Sequence, residues 1–413
     1  MSLNIIHTAD WHIGQTFYEY DREEEHRAFL KWLVEKLREE DADALLIAGD
    51  VFDVSNPSSV AQRMYYEFIR EANHVSPKTK IIVTAGNHDS AARLEAANPV
   101  TEALNVVTVG SISRNADRTI DIAPLLVPIY NKEGVKEATC IAMPYLRQGD
   151  YPPADGEDDY TQGIARMYAA ATEKAISEAK DGEAVIAMGH LYATGAELSE
   201  NDRAERVLRG GLESLSADAF DHRLAYVALG HIHKAQRVGG RDNVRYAGSP
   251  LPMSFAEKNY NHQVVKIKIE NGVVTEMEQI KVPIHTAVVS IPKEPLPVDE
   301  VLNEIEAIAD RTEDDDRTRY PYAEVRVLTD GPDPSMRSRI EEAMEGKAVR
   351  LACITTVPVR KSKENEERKM RYEDFRQIEP LEMVRRIYDK RYDSELPEEL
   401  AKLFNQVVRE VQG

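Results

Sequence analysis

At 413 residues the chain is too long for one compact core, so two or three domains are expected, and its 42% hydrophobic content fits an ordinary globular interior. Its 52 basic and 72 acidic side chains give a net charge of -20, which excludes a protein that coats nucleic acid by bulk charge and requires a local basic surface, metal ions or a partner for any such contact. No apolar run of about 18 residues is present to span a membrane as a helix, and the N-terminus lacks the pattern of a secretory leader, so the cytoplasm is the expected location.

In chain order, Leu3 to His7 reads as a strand, Asp21 to Glu39 as a helix, Ala44 to Ala48 as a strand, Ser58 to Asn73 as a helix and Lys80 to Thr84 as a strand. This alternation predicts βαβ units with helices over a largely parallel sheet. Ala91 to Leu104 reads as a further helix. Strand candidates follow at Val106 to Val109, Thr139 to Met143, Ala184 to Met188, Ala225 to Leu229, Val244 to Tyr246 and Val264 to Ile269. The later ones are expected to form a mainly antiparallel second sheet, closing a layered α/β sandwich over residues 1–285. Cys140 and Cys353 lie in apolar runs with no CxxC spacing and are expected as buried free thiols.

Near Pro283 the pattern changes to strand, helix, strand, helix, strand, which predicts a small α/β domain over residues 286–356. The acidic stretch Glu313 to Asp316 within it reads as a solvated loop. Residues 357–379 are densely charged without apolar periodicity and read as a linker. Residues 380–413 carry two amphipathic helices, with Leu381, Val384, Ile387 and Tyr388 sharing a face of the first and Leu400, Leu403, Phe404, Val407 and Val411 a face of the second. Pro397 suits a helix start. Such a pair either packs on its own domain or docks on the helices of another protein.

Short motifs stand at the ends of the predicted strands: Asp10-Trp11-His12, Gly49-Asp50-Val51-Phe52-Asp53, Gly86-Asn87-His88-Asp89, Gly189-His190 and Gly230-His231-Ile232-His233. Asp10 and His12, like His231 and His233, are one residue apart, so on extended backbone their side chains point to the same side. The glycines before Asp50, Asn87, His190 and His231 permit close backbone approach to ligands. Phosphodiesters resist hydrolysis because a poor nucleophile must attack an anion, and two cations about 3.5–4 Å apart relieve both difficulties. That pair needs oxygen and imidazole ligands with one carboxylate able to touch both ions. A mixed N and O set without thiolate fits manganese or iron in roughly octahedral geometry and disfavours a closed structural zinc site.

These motifs together resemble the calcineurin-like metallophosphoesterase superfamily. Within it, His7 to Gln15 and Tyr246 to Pro252 resemble the SbcD-type nuclease subunits of bacterial SbcCD complexes. The resemblance covers most of residues 1–285 and, more loosely, the remainder. It implies a metallophosphoesterase β-sandwich flanked by helices, with a capping domain and a C-terminal helix pair. It also implies one ion held by Asp10, His12, Asp50 and His233, and a second held by Asp50, Asn87, His190 and His231, with Asp50 bridging. Mn²⁺ is the implied metal, with Fe²⁺ or Mg²⁺ also compatible.

His88 would lie beside the phosphate, stabilising charge or protonating the leaving 3′ oxygen. A carboxylate would keep it cationic and oriented, with Asp53 as first candidate and Asp89 as second. Archaeal and eukaryotic relatives tend to have histidine where Asp53 stands, which points to the bacterial subfamily.

The implied activity is a 3′ to 5′ double-strand exonuclease and single-strand or hairpin endonuclease in DNA repair and recombination. Its implied partner is an SbcC-like ABC ATPase, docked on the helices of residues 380–411. The small domain would cap the active site and help to position DNA. Helices 58–73 and 91–104 carry apolar residues that fit either a two-fold dimer within a heterotetramer or burial in the monomer. Arg203, Arg206, Arg209, Lys234 and Arg237 are candidate phosphate contacts. A phosphatase remains the alternative, although Val54-Ser55 and Asp89 depart from the pattern of phosphoprotein phosphatases. A scaffold for the ATPase is the other.

Overall fold

The first sheet begins with four parallel strands, β1 (Ser2–Thr8), β2 (Ala44–Ala48), β3 (Lys80–Thr84) and β4 (Val106–Val109), adjacent in that order. In this computed structural model residues 2–152, 160–197 and 214–358 are described, together with a few single positions further on. Val357 and Pro358, expected to open the linker of 357–379, end the last strand, while Arg203, Arg206 and Arg209, the rest of that predicted linker and, apart from those single positions, the predicted helix pair of 380–413 lie outside the described residues.

Every residue of β2 is buried, because both faces of the strand are covered. Ala44, Leu46 and Ala48 enter the core between the two sheets. Leu45 and Ile47 enter the core under helices α1 (Glu23–Glu39) and α2 (Ser59–Val75). A strand buried on both faces needs an unbroken apolar run, and this is why the parallel strands are legible as such.

The second sheet contains β5 (Leu126–Tyr130), β6 (Lys136–Ala142), β7 (Ala184–His190), β8 (Tyr226–Gly230), β9 (Gln236–Val238) and β10 (Arg241–Tyr246), ordered β9-β10-β8-β7-β6-β5. It is not mainly antiparallel, as the sequence suggested. β6, β7, β8 and β10 run parallel, and only the edge pairs β5·β6 and β9·β10 are antiparallel. A parallel neighbour requires a crossover, and helix α3 (Tyr160–Glu178) supplies it between β6 and β7. That helix is missed in the sequence because its buried face mixes Ile164, Met167 and Tyr168 with Gly163, Ala171 and Ala175. The candidate strand at Val264 to Ile269 belongs to the first sheet: β11 (Gln263–Glu270) pairs antiparallel with β1 and with β12 (Val273–Lys281). The helix read over Ala91 to Leu104 is broken into Ala91–Glu95, Asn98–Thr101 and a 3-10 turn at Glu102–Leu104, with Pro99, which has no N–H to donate, starting the second piece.

The small α/β module, expected from sequence as a cap, consists of β13 (Val288–Leu296), α4 (Val298–Glu306), β14 (Tyr322–Thr329), α5 (Met336–Met344) and β15 (Arg350–Pro358), with all three strands parallel. Val301, Ile305, Val325, Val327 and Ile340 form its own core. It nevertheless belongs to one compact unit with the rest of residues 1–358. Phe17, Phe255 and Tyr322 pack together where it meets the sandwich. Tyr322 Oη donates to Glu25 Oε1 at 2.7 Å and Tyr20 Oη to the Leu351 carbonyl at 2.9 Å. Cys140 is buried as expected, whereas Cys353 on β15 is only half-buried. Among the described residues no helix is long and apolar enough to cross a membrane.

Two fully buried histidines set an acid limit on this fold. Burial pushes His7 down to about 3 and His26 down to about 4, against roughly 6.5 for an unperturbed histidine. The unfolded chain therefore takes up protons first, and the stability present above pH 6.5 is lost as pH falls below it. Two protons correspond to about 2.7 kcal/mol per pH unit between roughly pH 6 and 4. Urea unfolding at pH 7.5 and 5.5 should show a clear drop in midpoint. Replacing His7 by glutamine should reduce the slope of stability against pH by about half.

Candidate metal centre

The carboxyl ends of β1, β2, β3, β7 and β8 meet at one edge of the sandwich, and each runs directly into one of the motifs. Binding at this end of parallel strands is the general rule for α/β sheets. Trp11 shows how Asp-x-His works here: its indole turns away from the ligands, donates to Thr8 Oγ1 at 2.9 Å and packs edge-on against Phe29 and Phe68. Asp10 and His12 are thereby aimed at the site.

The backbone here is not extended, as the spacing of Asp10 and His12 and of His231 and His233 suggested: the strands end at Thr8 and Gly230 and the chain bends beyond them. Asp10, His12, Asp50 and His231 all have positive φ, at 54°, 46°, 50° and 100°, a region that non-glycine residues seldom occupy and that costs about 1–3 kcal/mol per residue. Close approach leaves no room for a Cβ at any of the four predicted glycines, Gly86 and Gly230 showing it most plainly. A Cβ on Gly86 would lie 2.1 Å from Asp50 Oδ1, and one on Gly230 would lie 1.9 Å from the Ala48 carbonyl.

The structure brings the predicted ligands together. Asp10, His12 and His233 offer atoms within 4.8 Å of one another, as do Asp50, His190 and His231, and as do His12, Asp50 and His88. Around His190 the contacts are closer. Its Nδ1 faces the Ala48 carbonyl at 2.9 Å, so that nitrogen carries the proton. Its Nε2 then lies 2.9 Å from Asn87 Oδ1, 3.1 Å from Asp50 Oδ2 and 3.2 Å from His231 Nδ1. Asp10 Oδ2 and His12 Nε2 are buried with no hydrogen-bond partner, and His12 Nε2 is 3.8 Å from Asp50 Oδ2. Nitrogen and oxygen atoms able to act as ligands thus converge from several loops, with buried atoms left over, and divalent cations fit that set.

The rings are held from behind. His12 Nδ1 lies 3.2 Å from Asp53 Oδ1, His233 Nδ1 3.1 Å from Glu257 Oε1 and His88 Nδ1 2.8 Å from the Asp53 carbonyl. A carboxylate or carbonyl behind one nitrogen fixes the tautomer and leaves the other for a ligand.

Asp53 and Asp89, the two carboxylates expected beside His88, each make further contacts in the site. The Asp53 carboxylate lies on His12, and the Asp53 backbone oxygen lies on His88. Asp89 accepts from the N–H groups of Val51, Phe52 and Gly86 at 2.9–3.1 Å and ties the second motif to the third. Glu257 escapes notice in the sequence because it sits 24 positions beyond His233, on a 3-10 turn outside every motif.

Buried charges in the site act on one another. Burial acts to raise the Asp50 carboxyl, but the imidazoles of His190, His12 and His88 outweigh it and hold it well below the ordinary range. Asp10 is raised by burial, which His190 and His233 only partly offset. Burial and then the Asp50 charge push Asp89 up to about 6. Of the predicted phosphate contacts, Lys234 is paired with Glu197 and Arg237 with Asp242 on the surface.

Comparison with known proteins agrees with this geometry. A family model described as calcineurin-like phosphoesterase matches residues 3–235, and one described as type 5 capsule protein repressor C-terminal domain matches residues 286–392. The chain is 36% identical over 360 residues to the SbcD subunit of the nuclease SbcCD of Rhodobacter capsulatus, covering 86% of this chain and 87% of that one. It is 30% identical over 423 residues to the Escherichia coli protein of the same name, covering 100% and 99%. To the Bacillus subtilis protein of that name it is 30% identical over 277 residues, covering 65% and 67%. With the strand-end ligands, the Asp-x-His and Gly-His-x-His pairs and these likenesses in agreement, the chain belongs to the calcineurin-like phosphoesterases and, within them, to the family of SbcD subunits of SbcCD nucleases.

Proposed function

We propose that this chain is the nuclease subunit of an SbcCD-type complex, cleaving DNA phosphodiesters with two divalent cations. The observation that carries this reading is the convergence of Asp50, Asn87 and His231 on His190 Nε2 within 3.2 Å. Asp10, His12, Asp50 and His233 would hold one ion and Asp50, Asn87, His190 and His231 the other. Manganese suits these ligands, and Fe²⁺ or Mg²⁺ would also be accepted. When bound, the two cations supply charge neutralisation at the phosphate and a nucleophile at neutral pH.

The protein's own part is orientation and proton placement. His88, held at Nδ1 by the Asp53 carbonyl, turns its other nitrogen to the gap beside His12 and Asp50, where it holds a proton for the leaving 3′ oxygen. Asp53 acts as a positioning residue for His12 through its side chain and for His88 through its backbone. Cleavage in both 3′ to 5′ exonuclease and hairpin endonuclease modes is part of this reading. So are an SbcC-like ATPase partner, DNA as substrate and a homodimer of this subunit within a heterotetramer.

The test is to incubate the purified chain, with and without the ATPase partner, with Mn²⁺ and either labelled hairpin DNA or a small phosphate ester. DNA should be cut, faster with the partner present. Rapid turnover of the ester with DNA inert in both states would favour a phosphatase and overturn the reading. Removing the residues after 375 should abolish co-purification with the ATPase while sparing metal-dependent cleavage of a generic phosphodiester. A truncated chain that still co-purifies would show that residues 380–411 are not the docking element.

A further inference from the structure

The turn from Phe255 to Lys258 touches both the metal centre and the cap. Glu257 is fully buried. Its Oε1 lies 3.1 Å from His233 Nδ1, and its Oε2 accepts from the Met253 N–H at 2.8 Å. With both oxygens engaged, the carboxylate is a fixed stop behind the His233 ring.

The same turn is fastened to the cap on either side of Glu257. Phe255 packs against Phe17 with ring centroids 5.2 Å apart, and Phe17 packs at 4.7 Å against Tyr322 of β14. Lys258 Nζ donates to Ser290 Oγ of β13 at 2.5 Å, and Ser290 Oγ donates to Glu324 Oε2 of β14 at 2.8 Å.

The Tyr246 to Pro252 segment, singled out by sequence, grips the same ligand from its backbone. Ser249 N–H donates to the His233 carbonyl at 3.1 Å, and a Cβ on Gly248 would come within 2.7 Å of that oxygen. His262 lies between the Ser249 carbonyl at 2.9 Å and the Glu257 carbonyl at 3.3 Å, joining the two supports. His190, by contrast, is braced by the Ala48 carbonyl inside the sandwich.

We propose that Glu257 is the positioning residue for the first ion, and that the Phe255–Lys258 turn makes the seating of the cap a determinant of the aim of His233. The inference rests on the two-metal reading, and it separates the two positions: the ion at Asp10, His12 and His233 depends on the cap contact, and the ion at Asn87, His190 and His231 does not.

The experiment is a Mn²⁺ titration of the full chain by calorimetry, with electron paramagnetic resonance distinguishing single from paired ions and thermal melts of the metal-free proteins as a folding control. Glu257→Gln should weaken one ion by about 10- to 100-fold, the scale of losing support behind a ligand, and leave the other within about twofold. Lys258→Met, which touches no ligand, should weaken the same ion by about 2- to 10-fold, the worth of one hydrogen bond.

Wild-type binding of both ions in Glu257→Gln, or equal weakening of both, would overturn the positioning role. Unchanged affinities in Lys258→Met would overturn the link to the cap. Wild-type protein that binds fewer than two ions would overturn the two-metal reading itself, before any variant is compared.

Discussion

Replacing Asp50 by asparagine is expected to abolish binding of both ions and DNA cleavage with them. Asp50 Oδ2 is 3.1 Å from His190 Nε2 and 3.8 Å from His12 Nε2, so one carboxylate faces both halves of the site. Its Oδ1 also accepts from the His88 N–H at 2.9 Å. An amide has the same shape but carries no charge, and one of its two positions becomes a donor that points at electron pairs. Loss of support behind a ligand costs about 10- to 100-fold in metal affinity, and loss of the shared ligand itself should exceed about 100-fold at each position. Linkage makes this visible without an activity assay. A site filled at 1,000 times its dissociation constant stabilises the fold by about 4 kcal/mol, so the thermal midpoint of the wild type should climb with Mn²⁺ while that of Asp50→Asn stays flat. A variant whose midpoint climbs as the wild type's does would remove Asp50 from the bridge.

His88→Leu is expected to produce the opposite separation, with metal kept and chemistry lost. The ring contacts His12 edge-on, with centroids 4.9 Å apart, and is anchored by the Asp53 carbonyl. Leucine fills similar space but holds no proton. Removing a general acid typically costs about 10²- to 10⁴-fold in rate. Elemental analysis should find the wild-type metal content, while the rate on hairpin DNA falls within that range. Full activity would exclude His88 from catalysis, and a parallel loss of metal would make it a ligand.

The candidate ligands were legible in the sequence because each lies within a few residues of a strand end, where a short motif records both the residue type and the turn that aims it. Asp10, His12, Asp50, Asn87, His190, His231 and His233 needed only that local information to be chosen. Glu257 did not have it: a carboxylate on a separate turn becomes part of the site only through folding, and no spacing marks it. Asp53 shows a subtler limit. Its position beside His88 was legible, yet the contact of its carboxylate with His12 depends on where that ring lies in space.

The fold divides in the same way. Strands buried on both faces, such as Ala44–Ala48, announce themselves by unbroken apolar runs. The direction of the second sheet depends on α3, whose alanine-rich inner face gives a weak periodic signal. Strand β11 reads identically whichever sheet it joins, because pairing with β1 is a long-range choice.

Anomalous diffraction from a crystal equilibrated with Mn²⁺ tests the central claim most directly. Two peaks about 3.5–4 Å apart are expected, one among Asp10, His12 and His233, the other among Asn87, His190 and His231, with Asp50 between them. A single peak, or none at saturating manganese, would contradict it.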